Sequence, residues 1–246
     1  MKKTSTILAI GSALALGSAQ AEIESSFHVG YSTDYVFRGI NQNELLGADN
    51  GLYEYGLDFT GDCNCGGTWN AGIWNGDIGD GLEELNVYAS LSKEFGAVEL
   101  TAGLIRYDYS GGAVAANIAA NGPGATLDTS EIFLGASTDL GGLDASAAIY
   151  YDVDGNDGNM FGELSLGKSF DVGGATLEVA ANFGTTLDAG TGDDYVTYGL
   201  SASLSKELGD NLTGSLYVAG ETTEGKDRDG VDGDDLYGGI SLSYGF

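Results

Sequence analysis

Apolar and small polar residues alternate with a period of two along most of this chain, an arrangement that places one set on each face of a β-strand. Each alternating segment has about the ~9–11 residues that a tilted strand needs to cross the hydrocarbon layer. An even number of such segments is typical of bacterial outer-membrane barrels. The pattern therefore predicts an all-β, transmembrane, antiparallel up-and-down β-barrel of about twelve strands, with ten or fourteen as the nearest alternatives. The segments cover residues 26–38, 51–61, 67–76, 83–95, 98–109, 130–140, 143–152, 159–170, 175–186, 194–207, 211–222 and 235–246.

Several segments end on one template, in which a lysine is followed by an aromatic residue or leucine. It occurs at 91–95, 166–170 and 204–208, and residues 242–246 resemble it. Parity places these lysines on the lipid side, where they are tolerated only at the interface because their long side chains reach the lipid phosphates. The alternative is ordinary solvated strand ends. The predicted membrane-interface belt consists of Lys93, Lys168, Lys206, Phe95, Phe170, Tyr244 and Phe246.

The connections between segments alternate between short and long, which is the asymmetry of outer-membrane barrels with short periplasmic turns and longer outer loops. The short turns lie at 96–97, 141–142, 172–174 and 209–210, with a longer cysteine-containing turn after the second segment. The long connections include 39–50, 110–129 and 223–234. Of these, only 110–129 is long and apolar enough to be expected to fold inward or cap the barrel.

The face opposite the apolar set is dominated by Gly, Ser, Ala and Thr, which predicts a narrow polar passage. In the first segment, Tyr35 and Phe37 share the lipid-facing parity of Phe27. Arg38 is the main inward base, expected to pair with Glu54 or another wall acid, either as a charge pair at a constriction or as a brace of the wall. The candidate pore-lining residues are Arg38, Glu54, Asp58, Glu84, Glu131, Glu163 and Glu178, and the same face also carries Glu94, Glu99, Asp139 and Asp144.

The first 21 residues have the features of a secretory signal peptide. Lys2 and Lys3 form a basic start, an apolar stretch covers 7–16, and small residues at 19 and 21 form a cleavage signal. We therefore expect residues 1–21 to be removed and residues 22–246 to form one barrel domain. The formal net charge of −28 excludes nucleic-acid binding through bulk charge.

Cys63 and Cys65 are the two cysteines of the chain. Because the leader directs the protein to an oxidising compartment, a structural disulfide in a turn is expected. Free or externally paired thiols remain an alternative, and a metal or redox role is a third.

Residues 32–42 carry a pattern made of Ser32, Tyr35, Phe37, Arg38, Gly39 and Gln42. This pattern resembles the opening strand of the TorF-like family of proteobacterial porins. The run that contains Trp69, Glu84, Tyr88, Tyr107, Tyr109 and Gly111 also looks like that family's middle strands, although the family's proline after the tyrosine pair is replaced by Ser110 and Gly111. The resemblance covers about the first half of the mature chain and implies an outer-membrane porin. Phe246 resembles the terminal aromatic signal that the barrel-assembly machinery recognises.

We expect a channel in the bacterial cell outer membrane for passive diffusion of small hydrophilic solutes, with a preference for cations because inward carboxylates attract them. The alternative is a non-conducting scaffold or binding barrel whose acidic loops, 152–158 and 227–235, bind calcium; neither completes the EF-hand pattern. An enzyme is not expected, since the one histidine, His28, has no recognisable triad around it. No cofactor is expected. The expected partners are outer-membrane lipids, the barrel-assembly machinery and small hydrophilic solutes or cations, with the oligomeric state left open.

Overall fold

The computed structural model describes residues 23–46, 51–79, 81–112, 127–154, 158–188, 194–225 and 233–246. The wall is built from β1 (Glu24–Ser32), β4 (Leu52–Cys63), β5 (Gly67–Gly79), β6 (Leu82–Phe95), β7 (Val98–Gly111), β8 (Thr129–Asp139), β9 (Asp144–Asp152), β10 (Met160–Val172), β11 (Ala175–Asp188), β12 (Tyr195–Gly209), β13 (Leu212–Gly225) and β14 (Gly233–Gly245). Between β1 and β4 lie a small hairpin of β2 (Val36–Phe37) and β3 (Ile40–Asn41) and the short helix α1 (Gln42–Leu46).

The twelve wall strands form one closed barrel in which neighbours along the chain are antiparallel neighbours in the sheet. The seam is closed by β1, where Phe27 pairs with Leu57 on β4 and with Tyr244 on β14. A closed wall satisfies all strand hydrogen bonds, which a barrel in lipid requires. The predicted barrel of about twelve strands is therefore confirmed, but the first segment leaves the wall at Ser32 rather than at residue 38.

The outer face of the barrel is apolar, the reverse of a water-soluble barrel. On β6, Leu85 and Val87 are exposed, while Glu84 and Asn86, which alternate with them, are buried. The same exposure recurs around the wall, as at Leu134, Leu200 and Leu236, the last with 78% of its surface exposed. Such side chains are stable outside only when the surrounding medium is hydrocarbon, so this face contacts lipid.

No helix among the residues described here is long and apolar enough to span a membrane. The predicted leader 1–21 lies outside the described residues, as do residues 113–126 of the predicted inward segment, residues 155–157 of the first acidic loop and residues 227–232 of the second. The ends of the barrel are distinguishable. Both the described N-terminal strand start and Phe246 lie at the end that also carries the short turns, which we call the periplasmic end.

The interior differs between the two halves of the barrel, and the expectation of an inner face dominated by small residues is wrong for one of them. Toward the outer end, large inward side chains pack into a buried cluster that includes Trp74, Tyr107, Phe133, Tyr150, Phe161 and Tyr195. Toward the periplasmic end the inner wall is small and polar, with hydroxyl pairs such as Ser92 with Thr101 and Ser215 with Ser241. The interior is therefore a filled outer half above a polar periplasmic half.

Candidate functional site

After Ser32 the chain turns into the barrel instead of continuing up the wall. Residues 33–46, which we call the inner hairpin, contain β2, β3 and α1. The tip between β2 and β3 is the dipeptide Arg38–Gly39, and both residues have positive φ, 52° and 78°. Two positive φ values in a two-residue loop are the geometry of a tight type I′ hairpin, in which glycine is favoured.

Arg38, at the tip, forms a bidentate ion pair with Glu131 on β8. Both guanidinium–carboxylate hydrogen bonds are 2.7 Å long, and both side chains are largely buried. The guanidinium carbon lies 4.4 Å from the ring centre of Tyr150 and 4.8 Å from those of Phe37 and Phe161. A planar cation enclosed by aromatic faces and held by a carboxylate combines the two strongest modes of guanidinium recognition.

The wall residues around Arg38 come from four consecutive strands. We call Tyr107 on β7, Glu131 on β8, Tyr150 on β9 and Phe161 on β10 the arginine recess. The Tyr107 hydroxyl donates to Glu131 Oε2 at 3.1 Å, and the Tyr150 hydroxyl donates to Glu163 Oε1 at 2.9 Å. These bonds orient the Glu131 carboxylate and the Tyr150 ring without a contribution from the Arg38 guanidinium.

Arg38 remains charged in this position. Burial lowers its pKa, but the hydrogen bonds and the charge of Glu131 raise it by more, so that the net pKa of the Arg38 guanidinium lies above its ordinary value. The Arg38 guanidinium is therefore positively charged in the recess.

The rest of the inner hairpin is attached to other parts of the wall. The Tyr35 hydroxyl donates to Glu84 at 3.1 Å, and the Asn43 side chain donates to the carbonyls of Gly51 and Ile78. On the opposite wall, Thr223 donates to the Gly39 carbonyl at 2.6 Å. Because the hairpin is held from both sides and packs into the aromatic cluster, it crosses the lumen and fills its outer half.

The structure changes several expectations about this region. Arg38 is not on a wall strand, and of the two expected kinds of partner it has another wall acid, Glu131, rather than Glu54, which accepts a hydrogen bond of 2.7 Å from the Trp74 indole. Tyr35 and Phe37 face the lumen rather than lipid, since Tyr35 is buried and Phe37 packs against Tyr107. The inward folding expected of 110–129 falls mostly outside the described residues, and the described segment that folds inward is 33–46, for which this was not expected. Its signal was the Arg38–Gly39 dipeptide between two apolar residues, a two-residue hairpin pattern.

The other candidate pore-lining acids divide into two groups. Glu84 is almost completely buried and accepts from Tyr35 and Asn86, and Glu163 accepts from Tyr150, so these two and Glu131 belong to the filled half. Asp58 and Glu178 line the polar half instead, where their surroundings are described next.

Acidic side chains face the polar half at two places. Asp58 accepts from the Tyr88 hydroxyl at 2.6 Å and lies 3.6 Å from His28 Nδ1. Tyr88 reaches Asp58 across Gly72, where a Cβ would collide with the tyrosine ring. On the other side, Glu178 and Asp144 are close enough to interact electrostatically. Within the described residues, His28 is the basic side chain that accompanies these acids.

The periplasmic ends of the strands carry the residues predicted for the membrane interface. Lys93 and Lys168 each lie 5.9 Å from the ring centre of the aromatic residue two positions later, Phe95 and Phe170. Tyr244 and Phe246 are stacked, 6.3 Å apart, and exposed; Lys206 is also exposed. These positions fit an interfacial belt, whose contact with lipid headgroups stays a prediction.

The cysteine turn connects β4 to β5 at the same end. Cys63 and Cys65 are joined by a disulfide with a Cα–Cα distance of 5.2 Å, and Lys93 donates to the Cys65 carbonyl at 2.5 Å. Within the part of the chain that the structure describes, no group of three His, Cys, Asp or Glu side chains is placed to hold a metal ion.

A closed wall that is apolar outside and polar within defines an outer-membrane β-barrel protein, and the chain is placed in the bacterial outer membrane. The chain belongs to the family described as "Bacterial protein of unknown function (Gcw_chp)", whose model matches residues 17–231. The comparison with curated proteins gave no match.

Solved outer-membrane channels share the fold. The COG4313 outer membrane channel from Pseudomonas putida F1 is similar with a TM-score of 0.57 and 11% identity, over 98% of this chain and 100% of that one. The KdgM porin is similar with a TM-score of 0.51 and 11% identity, over 90% of this chain and 99% of that one. A second KdgM structure, in complex with disordered oligogalacturonate, gives a TM-score of 0.51 and 10% identity, over 91% and 99% of the two chains. At these identities the likeness is one of fold.

Proposed function

We propose that this protein is a porin-like channel for passive diffusion of small hydrophilic solutes, and that the inner hairpin closes it in the conformation described above. The observation that carries the proposal is the division of the lumen. A polar half lined by Ser, Thr and Gly leads to an outer half that is filled by a segment of the β1–β4 connection, which non-covalent contacts hold against the wall. A barrel needed only as a scaffold has no use for a polar half of this kind.

As part of this proposal, the resemblance to TorF-like porins has a structural explanation. Residues 32–42, which carry the resemblance, are the last wall residue of β1, the tip with Arg38 and the start of α1. Glu84 and Tyr107, which belong to the second stretch that resembles the family, contact the inner hairpin. The residues that carry the resemblance are therefore the ones that form or contact the segment that closes the lumen in this proposal.

A preference for cations follows from the charge of the polar half. Asp58, Asp144 and Glu178 face it, and His28 is the accompanying base among the described residues. Confined carboxylates lower the free energy of a cation in a pore and raise that of an anion. The oligogalacturonate named for one structural neighbour is an anion, and the acidic wall of this chain gives no support for transferring that ligand.

The second candidate is a non-conducting barrel. It is favoured by the tight packing of the hairpin, because a buried bidentate ion pair and an aromatic cluster resist displacement. In this case the polar half is a blind cavity open to the periplasm.

Planar-bilayer recording separates the two candidates. We expect rare, brief openings for the wild-type protein and a large increase in open time for Arg38→Ala, with cation selectivity measured from the reversal potential in a salt gradient. The double variant Asp144→Asn with Glu178→Gln should reduce that selectivity. Glu83→Gln, which removes an exposed carboxylate from the outer face of β6, is the matched control and should leave it unchanged. Arg38→Ala without measurable conductance would instead support the non-conducting barrel.

A further inference from the structure

The arginine recess is a binding site that the barrel wall retains without Arg38. Its carboxylate and its three rings lie on β7 to β10, whereas the hairpin supplies Arg38 and the adjacent ring of Phe37. Tyr107 and the Tyr150–Glu163 hydrogen bond hold the wall residues in place independently of the hairpin. If the hairpin leaves the lumen, a preformed pocket for a cation is left in the wall.

The geometry of the recess selects a guanidinium group over other cations. Glu131 accepts one hydrogen bond on each oxygen from the two terminal nitrogens of Arg38, a planar fork that an ammonium group does not match. The faces of Tyr150 and Phe161 lie within 5 Å of the guanidinium carbon, at 4.4 and 4.8 Å. Flat aromatic walls stabilise a flat, weakly hydrated cation more than a strongly hydrated one.

Displacement of Arg38 takes a strong partner from Glu131, which creates competition for the recess. With the hairpin docked, Glu131 retains only about a tenth of its side-chain exposure and accepts both guanidinium hydrogen bonds. A displaced hairpin removes these bonds and the counter-charge of the carboxylate, and water replaces them only in part. A ligand that binds only the displaced state shifts the equilibrium toward that state.

We propose that the arginine recess binds small solutes that carry a guanidinium group, and that such a solute competes with Arg38 and releases the inner hairpin. The inference rests on the proposed channel function for its consequence, since release of the hairpin opens the outer half of the lumen. Guanidinium-bearing compounds are then the class of solute that reaches the recess and opens the passage. Arg38 occupies the site as an intramolecular substitute for them.

The binding step is tested by calorimetry on the purified, detergent-solubilised barrel with methylguanidinium chloride. Arg38→Ala should bind one equivalent at least about tenfold more tightly than the wild-type protein, the factor expected when a competing charge-assisted contact is removed. The double variant Arg38→Ala with Glu131→Gln should lose this binding, and methylammonium should bind Arg38→Ala at least about tenfold more weakly than methylguanidinium. Equal binding of the two cations, or undiminished binding after the Glu131 substitution, would overturn the assignment.

A second measurement uses the wild-type protein and does not depend on the folding of a variant. Methylguanidinium added to a planar bilayer should increase the open time, while methylammonium at the same concentration should not. Binding in calorimetry without any conductance would retain the site and refute the channel. Conductance that neither cation alters, together with no binding, would refute the site and retain the channel.

Discussion

Removing Arg38 tests how firmly the inner hairpin is held. In Arg38→Ala, the carboxylate of Glu131 loses both 2.7 Å hydrogen bonds and its counter-charge while it stays largely buried. Breaking one side of a buried ion pair costs roughly 3–5 kcal/mol. The hairpin can move and admit water to Glu131, which relieves part of this cost. We therefore expect the free energy of unfolding to fall by about 3 kcal/mol, the lower end of that range.

The aromatic contacts of the guanidinium add to the loss but do not dominate it. A ring near a cation contributes about 0.5–1 kcal/mol at an exposed site and about 2 kcal/mol where the cation is desolvated, as the largely buried Arg38 is. The three rings share one guanidinium, so their contributions overlap with each other and with the ion pair. The carboxylate left without a partner is the largest single cause of the expected destabilisation.

Urea unfolding of the barrel in lipid vesicles measures the effect through tryptophan fluorescence, since Trp74 packs against the hairpin residue Tyr35. The variants are Arg38→Ala, Glu131→Gln and the two combined. The combined variant should be more stable than the sum of the single effects predicts, by about 1–3 kcal/mol, because the neutral amide introduced by Glu131→Gln needs no counter-charge. A single-variant effect below about 1 kcal/mol, or strict additivity, would show that the pair does not hold the hairpin.

Three further predictions use the same unfolding assay. Gly39→Ala should destabilise the barrel by at least about 1 kcal/mol more than Gly141→Ala. Both glycines have positive φ, but only at Gly39 would a Cβ collide with neighbouring side chains. Equal effects of the two substitutions would contradict the docked position of the tip. Thr223→Val should cost about 1–2 kcal/mol by leaving the buried Gly39 carbonyl without its donor, and it should increase open time in bilayers. Val87→Lys, on the outer face near the middle of β6, should cost about 2–4 kcal/mol, whereas Val98→Lys at the periplasmic start of β7 should cost about 0–1 kcal/mol; similar costs would argue against a lipid-facing wall.

The wall of the barrel could be predicted from the sequence because its determinants are local. Lipid outside and water or polar packing inside impose a period of two on every strand, so Leu85 and Val87 reveal the outer face by spacing alone. The lysine–aromatic strand ends could be predicted in the same way, because Lys93 and Phe95 are two residues apart and therefore lie on the same face of their strand.

The inner hairpin was missed because it continues the same alternation. Tyr35 and Phe37 keep the parity of Phe27, and periodicity cannot distinguish a residue that faces lipid from one that has followed the chain into the lumen. Arg38 was identified as the main inward base, but its partner Glu131 lies 93 residues away on the far wall. Such a pairing depends on the closed three-dimensional wall, and no local pattern encodes it.

The position of the hairpin directly after β1 has a consequence for biogenesis. The backbone of Ser25 exchanges two hydrogen bonds with Phe246, so the last strand closes the edge of β1 that does not pair with β4. The recess that receives Arg38 is built from β7 to β10, in the middle of the chain. Sealing of the barrel therefore also fixes the strand from which the tip reaches its receptor, and a chain that lacks its final strand should hold the tip less firmly.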